Sequence, residues 1–360
     1  MQSTKALESQ IPPTQTPSPQ STLSPTPSQT PQTLQPPLAL QAQESHKRLD
    51  SFLCEALHLP KNQILSLIKH SLILHNGKPC KKGGIPLKPK DTITLLPPPH
   101  QEKSAESPLT PPSLPITILH EDEDILVLNK PSNLVVHHAP SVKESTLVDW
   151  LKAKGFSLST LSGEERYGII HRLDKDTTGA ILIAKTNHAH TLLAQELKTR
   201  QMGRYYLAII TNPLKDKCTI ECHLGRNPQN RLKMSKLSPI KYPQARYSKS
   251  LFVPICTDST NSHQLIAIKL FTGRTHQIRA HLESISRHIL GDSTYGYKGA
   301  FSGRIQLHAF LLYLTHPTTK KSLLIQAPIF DDMLESLQKN FDKDTIDALL
   351  QKPESLLSLF

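Results

Sequence analysis

Aromatic residues are scarce in this 360-residue chain: Phe, Trp and Tyr make up 5% of it, and there is one Trp. Hydrophobic residues reach 37%, and 14 glycines stand beside 30 prolines. So little apolar material does not fold the whole length, so part of the chain is expected to add nothing to a core. Long apolar runs are also missing. Ala309 to Leu314 is far short of the roughly 20 residues a membrane span needs, so no membrane partner is expected. The opening Met1-Gln-Ser-Thr-Lys5 leads into no apolar stretch, so no secretory leader is expected and a cytoplasmic location is. The five cysteines (Cys54, Cys80, Cys218, Cys222, Cys256) are odd in number and scattered, which suits a reducing compartment better than a disulfide framework. Cys218, Cys222 and His223 come nearest to a metal cluster, but no fourth ligand follows at finger spacing, and no metal is expected. Neither a Gly-rich P-loop nor a dinucleotide fingerprint is present. Acidic residues are the minority, 30 against 42 Lys and Arg, for a net charge of +12. That balance points to a polyanionic partner, nucleic acid or an acidic surface.

The prolines are unevenly placed. Residues 1–45 hold nine of them among Ser, Thr and Gln, with only Lys5, Glu8 and Glu44 charged and no arginine. Such a segment buries too little to offset its ordering entropy, and a disordered tail is expected there. Seven more prolines fall between Pro97 and Pro115, giving a Pro-rich linker over 97–116. What remains is a small module at 46–96, a large one at 117–330, and a tail end at 331–360. There Met333, Leu334, Leu337, Ile346, Leu349 and Leu350 recur at helical spacing, which predicts a C-terminal helical extension.

In the small module Leu49, Phe52, Leu53, Ala56 and Leu57 predict one helix, and Ile64, Leu67 and Ile68 a second after Pro60. Asn76-Gly77 is a hairpin signal, and Asp91 to Leu96 reads as a closing strand. Between Lys47 and Leu96 nine basic residues face three acidic ones, so half of the chain's net charge lies in about a seventh of its length. Charge so concentrated favours contact with phosphates, with Lys61 and Lys69 as candidates on the second helix. Two short helices followed by a hairpin with an Asn-Gly turn resemble the S4 RNA-binding module. Pro60-Lys61-Asn62 stands where that family commonly has a Ser-Arg-Ser-like helix start.

The large module opens with Asp124-Ile-Leu-Val-Leu128, a buried strand by its continuous apolar run, and Pro131 stops it. Asn133 suits a left-handed turn position. Further on, the apolar strands Ile169-Ile170 and Ala180 to Ala184 flank a loop with His171, Arg172, Asp174, Lys175 and Asp176. Charges held between buried strands are costly unless partnered, which marks a candidate site. A second constellation runs Phe271-Thr-Gly-Arg-Thr-His-Gln-Ile-Arg-Ala-His281. If it is helical from Thr275, Gln277 faces with His281 and Thr275 with Arg279. The pair Asp174 and Asp176 also admits hydrolysis of a glycosidic bond, although residues two apart on an extended loop point to opposite sides.

His171-Arg-Leu-Asp174, with Gly168 before and Thr178-Gly179 after, resembles the signature of the pseudouridine synthases of the ribosomal large subunit, or RluA type. Asn129-Lys-Pro131, Tyr206-Leu-Ala208, Gly273-Arg-Thr-His-Gln-Ile-Arg279, Gly291-Asp292 and Tyr295-Gly296 follow in that family's order. Asn133 replaces the family's usual glycine, and Tyr247 stands where a threonine is usual. The resemblance implies an α+β fold: a catalytic domain on a mixed, mainly antiparallel sheet with flanking helices and loops, preceded by a small S4 domain. It implies isomerisation of uridine to pseudouridine in structured RNA, ribosomal RNA of the large subunit first and transfer RNA as the open alternative. It further implies no cofactor; nothing in the sequence indicates an oligomer, and a monomer is expected.

By the same resemblance Asp174 is the essential carboxylate, nucleophile or base. Arg279 is the cation that keeps it charged, and Tyr206 is the aromatic ring that stacks on the uracil. Arg172 is the residue that fills the gap when the uridine leaves its stack. Lys130, His171 and Arg274 are supporting members. A rival reading, a non-catalytic RNA-binding factor with a decayed domain, conflicts with the intact set of Asp174, Tyr206 and Arg279.

Overall fold

The computed structural model describes residues 38–57, 61–96, 115–139 and 142–360. The chain divides into two compact units, one ending at Gln101 and the other beginning at Glu102. Most of the expected tail (1–37) and nearly all of the expected linker (97–114) lie outside the described residues.

The small unit is built from β1 (Leu38–Gln41), α1 (Leu49–Ala56), α2 (Lys61–Lys69), β2 (Ile73–His75), β3 (Lys78–Pro79) and β4 (Thr92–Leu95). Asn76 and Gly77 both take positive φ, 49° and 77°, and join β2 to β3 as the sequence predicts. Leu49, Leu53, Ile64, Ile68, Ile73 and Ile93 close one core between the helices and the sheet. One expectation is corrected. Residues 38–41, assigned by composition to the tail, form an edge strand, with Leu38 opposite Leu95 and Gln41 opposite Thr92. Their side chains are mostly exposed, so backbone pairing rather than burial holds them.

The large unit contains β5 (Thr117–Glu121), β6 (Ile125–Lys130), α3 (Leu147–Ala153), β7 (Thr178–Ala184), α4 (Asn187–Thr199), β8 (Gly203–Thr211), β9 (Cys218–Arg226), β10 (Met234–Lys236), β11 (Arg246–Thr257), β12 (His263–Leu270), α5 (Gln277–Glu283), β13 (His288–Ile289), β14 (Leu307–Thr315), β15 (Ser322–Gln326), α6 (Asp331–Asn340) and α7 (Lys343–Gln351). Its strands form one 11-stranded sheet in the order β10-β9-β11-β12-β8-β14-β7-β6-β5, with β13 beside β8 and β15 beside β14. Only β14 and β7 pair in parallel; the other pairings described are antiparallel. The fold is α+β on a mixed, mainly antiparallel sheet. Gly179, at φ 111°, permits the close parallel approach, because a Cβ there would run into the Ala309 backbone.

Strand alternation sorts the side chains by face. Tyr206, Ala208 and Ile210 of β8 join Ile181 and Ile183 of β7 beneath α3 and α5, in the core that backs the candidate site. Leu207 and Ile209 turn to the opposite face, where Met333 and Leu337 of α6 and Ile346 and Leu349 of α7 cover them. On β7, Ala180, Leu182 and Ala184 meet Ala189 and Leu193 of α4. Covering both faces explains why β6, β7 and β8 read as continuous apolar runs.

Cys218, Cys222 and His223 all lie along β9, and all five cysteines are free. No helix among the described residues is long and apolar enough to cross a membrane.

Candidate active site

The 171–176 loop leads into β7 at Thr178. The expected strand at Ile169-Ile170 is reduced to a single bridge, Ile169 to Ile183. Lys130 pins this loop from beneath. Its ammonium is fully buried and donates to the carbonyls of Pro131 (2.8 Å), Leu134 (2.9 Å) and Lys175 (2.9 Å). Burial pushes it down to about 7, with Asp174 and Asp176 acting in the opposite direction. Asn133 adopts the left-handed turn expected of it, φ 60°, and Leu134 N–H donates to the Lys175 carbonyl (3.2 Å). The supporting role of Lys130 is thus exerted through the backbone of the Asp174 loop.

His171 is buried and lines the neighbouring cavity rather than the Asp174 cleft. Its Nε2 accepts the Leu182 N–H at 3.2 Å, and burial pushes the imidazole down to about 3. It ties the loop to β7 as a neutral side chain.

The second constellation folds differently from its spacing. The helix α5 begins at Gln277, because His276 takes a left-handed conformation, φ 52°, and stands as the N-cap. Thr275 is therefore outside the helix and does not share a face with Arg279. Gln277 and His281 do turn together toward β11: Gln277 bonds Lys249 O (3.0 Å) and Ser250 Oγ (2.8 Å), and His281 Nε2 meets Ser248 Oγ (2.8 Å).

Asp174 sits in a small cleft of about 40 Å³, lined also by Arg172, Arg204, Tyr206, Arg274 and Arg279. Two side chains approach its carboxylate, the Arg279 cation through Nη1 at 3.9 Å and the His276 imidazole through Nε2 at 4.0 Å from Oδ2. Arg279 is gripped by Asp292 through two hydrogen bonds, Nε to Oδ2 2.7 Å and Nη2 to Oδ1 2.8 Å. Its guanidinium also lies 4.7 Å from the centre of the Tyr295 ring. Burial works against its charge, but the hydrogen bonds and charge of Asp292, then Asp174, outweigh it and raise the pKa. Tyr295 is itself fixed: its hydroxyl accepts Met234 N–H at 2.7 Å and meets His276 Nδ1 at 3.0 Å. Burial pushes His276 down, while the Asp174 charge pulls it up. Tyr206 is buried on β8, and burial raises its hydroxyl to about 12, so it is protonated at neutral pH.

Asp174, Tyr206, Arg279, Arg172 and Arg274 thus converge on one cleft, with Lys130 and His171 behind it. Lys61 and Lys69 belong to the small unit. Lys61 is engaged there by Asp50, Nζ to Oδ2 3.1 Å, a fully buried carboxylate that also takes two bonds from Arg48 (2.7 and 2.9 Å). Lys69 is exposed at the end of α2.

Arg204, His276, Asp292 and Tyr295 join the site without having been assigned roles from the sequence. For Arg204 the signal was available: it lies two residues before Tyr206 on one strand, and so on the same face. The others depend on contacts across 13 or more positions, such as Arg279 with Asp292.

Residues 124–284 match the RNA pseudouridylate synthase family and residues 47–93 the S4 domain. An uncharacterized RNA pseudouridine synthase of Helicobacter pylori (strain J99 / ATCC 700824) is 52% identical over 323 residues, 89% of this chain and 97% of its own length. Ribosomal large subunit pseudouridine synthase D of Escherichia coli (strain K12) is 31% identical over 323 residues, 84% of this chain and 95% of its own. Among solved structures, human RNA pseudouridylate synthase domain containing 4 has a TM-score of 0.48 at 24% identity, covering 61% of this chain and 91% of that one. An RNA-binding module ahead of an RNA-modifying domain defines the class. The chain belongs to the RNA pseudouridine synthase family, RluA type with an N-terminal S4 domain: an isomerase whose partner is RNA.

Proposed function

We propose that the protein converts specific uridines of large-subunit ribosomal RNA to pseudouridine, with Asp174 as the essential carboxylate. The observation that carries this is the cleft itself: Asp174 is its one carboxylate, with a buried tyrosine and the fixed Arg279 cation beside it. The uridine leaves its stack to reach this depth, and Arg172 at the mouth fills the space it vacates. Asp174 acts on the ribose, as nucleophile or as base, and the N1–C1′ bond breaks. The freed uracil turns against the Tyr206 ring, C5 bonds to C1′, and the C5 proton is lost as N1 gains one. Atoms and electrons balance without a donor. Arg279 holds the carboxylate's charge, and Lys130 holds the backbone that carries it.

The choice of large-subunit RNA rests on the name of the Escherichia coli relative; transfer RNA is the competing substrate. The test incubates the chain, and its Asp174→Asn variant, with unmodified transcripts of large-subunit rRNA and of tRNA, then probes pseudouridine chemically. Product on rRNA from the parent alone is expected. Activity surviving in Asp174→Asn would remove the mechanism, and product confined to tRNA would move the substrate.

A further inference from the structure

The Asp174 cleft adjoins a second, larger cavity of about 530 Å³. Six cations line it, Arg166, Arg172, Lys198, Arg200, Arg204 and Arg274, and no Asp or Glu does. Arg172, Arg204 and Arg274 line both spaces.

Arg204 is the unusual member. Its side chain is buried, its Nε has no hydrogen-bond partner, and burial lowers its pKa with only the Tyr206 hydroxyl opposing. A guanidinium held this way is costly unless an anion reaches it. The backbone makes room for it: a Cβ on Gly273 would stand 2.6 Å from Arg204 Nη1. A planar fork of donors suits a phosphate, which it meets with two parallel bonds.

We propose that this cavity is a phosphate subsite, in which Arg204, with Arg274, binds the backbone phosphate flanking the uridine held at Asp174. The inference rests on the pseudouridine synthase reading and deepens it. Its place in the reaction follows from geometry. Once the glycosidic bond opens, base and sugar are joined only through the site, so the ribose needs its own anchor while the uracil turns on Tyr206. Arg204 and Tyr206, two residues apart on the same face of β8, hold the two halves from one strand.

The probes are uridine and uridine 3′,5′-bisphosphate, titrated calorimetrically into the full chain and into its Asp174→Asn, Arg204→Gln and Gly273→Ala variants. The parent and Asp174→Asn are expected to prefer the bisphosphate by about tenfold or more, as charge-assisted bonds to a phosphate imply. Arg204→Gln is expected to lose most of that preference. Gly273→Ala keeps the arginine but displaces it, and is expected to weaken the preference as well, which covers the case in which Arg204→Gln does not fold. A parent that binds both probes equally, or folded variants that keep its full preference, would overturn the subsite. Pseudouridine formation on rRNA transcripts is read separately. An Arg204-dependent preference without product on any RNA would count against the proposed reaction and leave the phosphate site standing.

Discussion

Arg279 meets Asp174 with one nitrogen only, Nη1 to Oδ2 at 3.9 Å. That is too long for a hydrogen bond, yet within the range of a charge pair. The two-toothed grip of the same guanidinium goes to Asp292, which is 1% exposed. Stability and chemistry are thereby divided between two aspartates sharing one arginine.

Arg279→Met removes both relationships. Asp292 is then a buried carboxylate without its partner, a loss of roughly 3–5 kcal/mol by analogy with other broken buried pairs. Adding Asp292→Leu is expected to recover most of that stability and none of the activity. Urea unfolding and pseudouridine yield, measured on the single and double variants, check this. Recovery of both together would mean that Arg279 acts on Asp292 alone.

Tyr206→Phe keeps the ring and removes the hydroxyl. If the hydroxyl serves the proton transfer from C5, single-turnover rates fall by about 10²–10⁴-fold while RNA affinity holds. Tyr206→Leu is expected to lose affinity for the turned-out base as well. Equal rates for the parent and Tyr206→Phe would leave the ring with stacking alone.

Acid is expected to weaken the large unit through its buried histidines. His308 is fully buried between Thr178 Oγ1 (2.8 Å) and Ala327 O (3.0 Å), and burial pushes it down from 6.5 to about 4. Above pH 6.5 neither the folded nor the unfolded chain protonates it. Between pH 6.5 and 4 the unfolded chain binds a proton that the folded chain refuses, and stability falls by roughly 3 kcal/mol. His308→Gln should show a shallower decline in urea midpoint across that interval. An unchanged slope would mean that His308 is not part of the acid response.

In the small unit the two lysines of α2 separate. Lys69 is exposed, and Lys69→Gln is expected to lower the slope of log affinity against log salt by about one phosphate's worth. Lys61 is engaged with Asp50, so Lys61→Gln is expected to lower the melting temperature of this unit more than it lowers the salt slope. Filter binding over a salt series, with thermal melts alongside, separates these effects. The reverse pattern would exchange the two roles.

Much of this arrangement was legible in residue order. Apolar runs at Asp124 to Leu128 and Ala180 to Ala184 announced doubly covered strands, and Asn76-Gly77 announced its hairpin. The His171-Arg-Leu-Asp174 and Gly273 to Arg279 motifs named most of the residues now found around one cleft. What escaped depends on chain geometry that spacing does not carry. The left-handed turn at His276 shifts the start of α5 to Gln277 and aims the imidazole at Asp174. Arg204 is the exception, since its place two residues before Tyr206 on one strand already put both on the same face. Strand β1 was hidden because its four residues bury little and gain their place from backbone pairing.

That strand also bears on where the chain can be shortened. By lying along the whole of β4, Leu38–Gln41 occupy N–H and C=O groups that would otherwise form an open rim. A chain shortened past residue 41 would move the sheet's edge to Thr92–Leu95 and strip the cover that Leu40 gives the core of the small unit. The last residues of a proline-rich stretch thus complete the sheet of the small unit and fix where its edge lies.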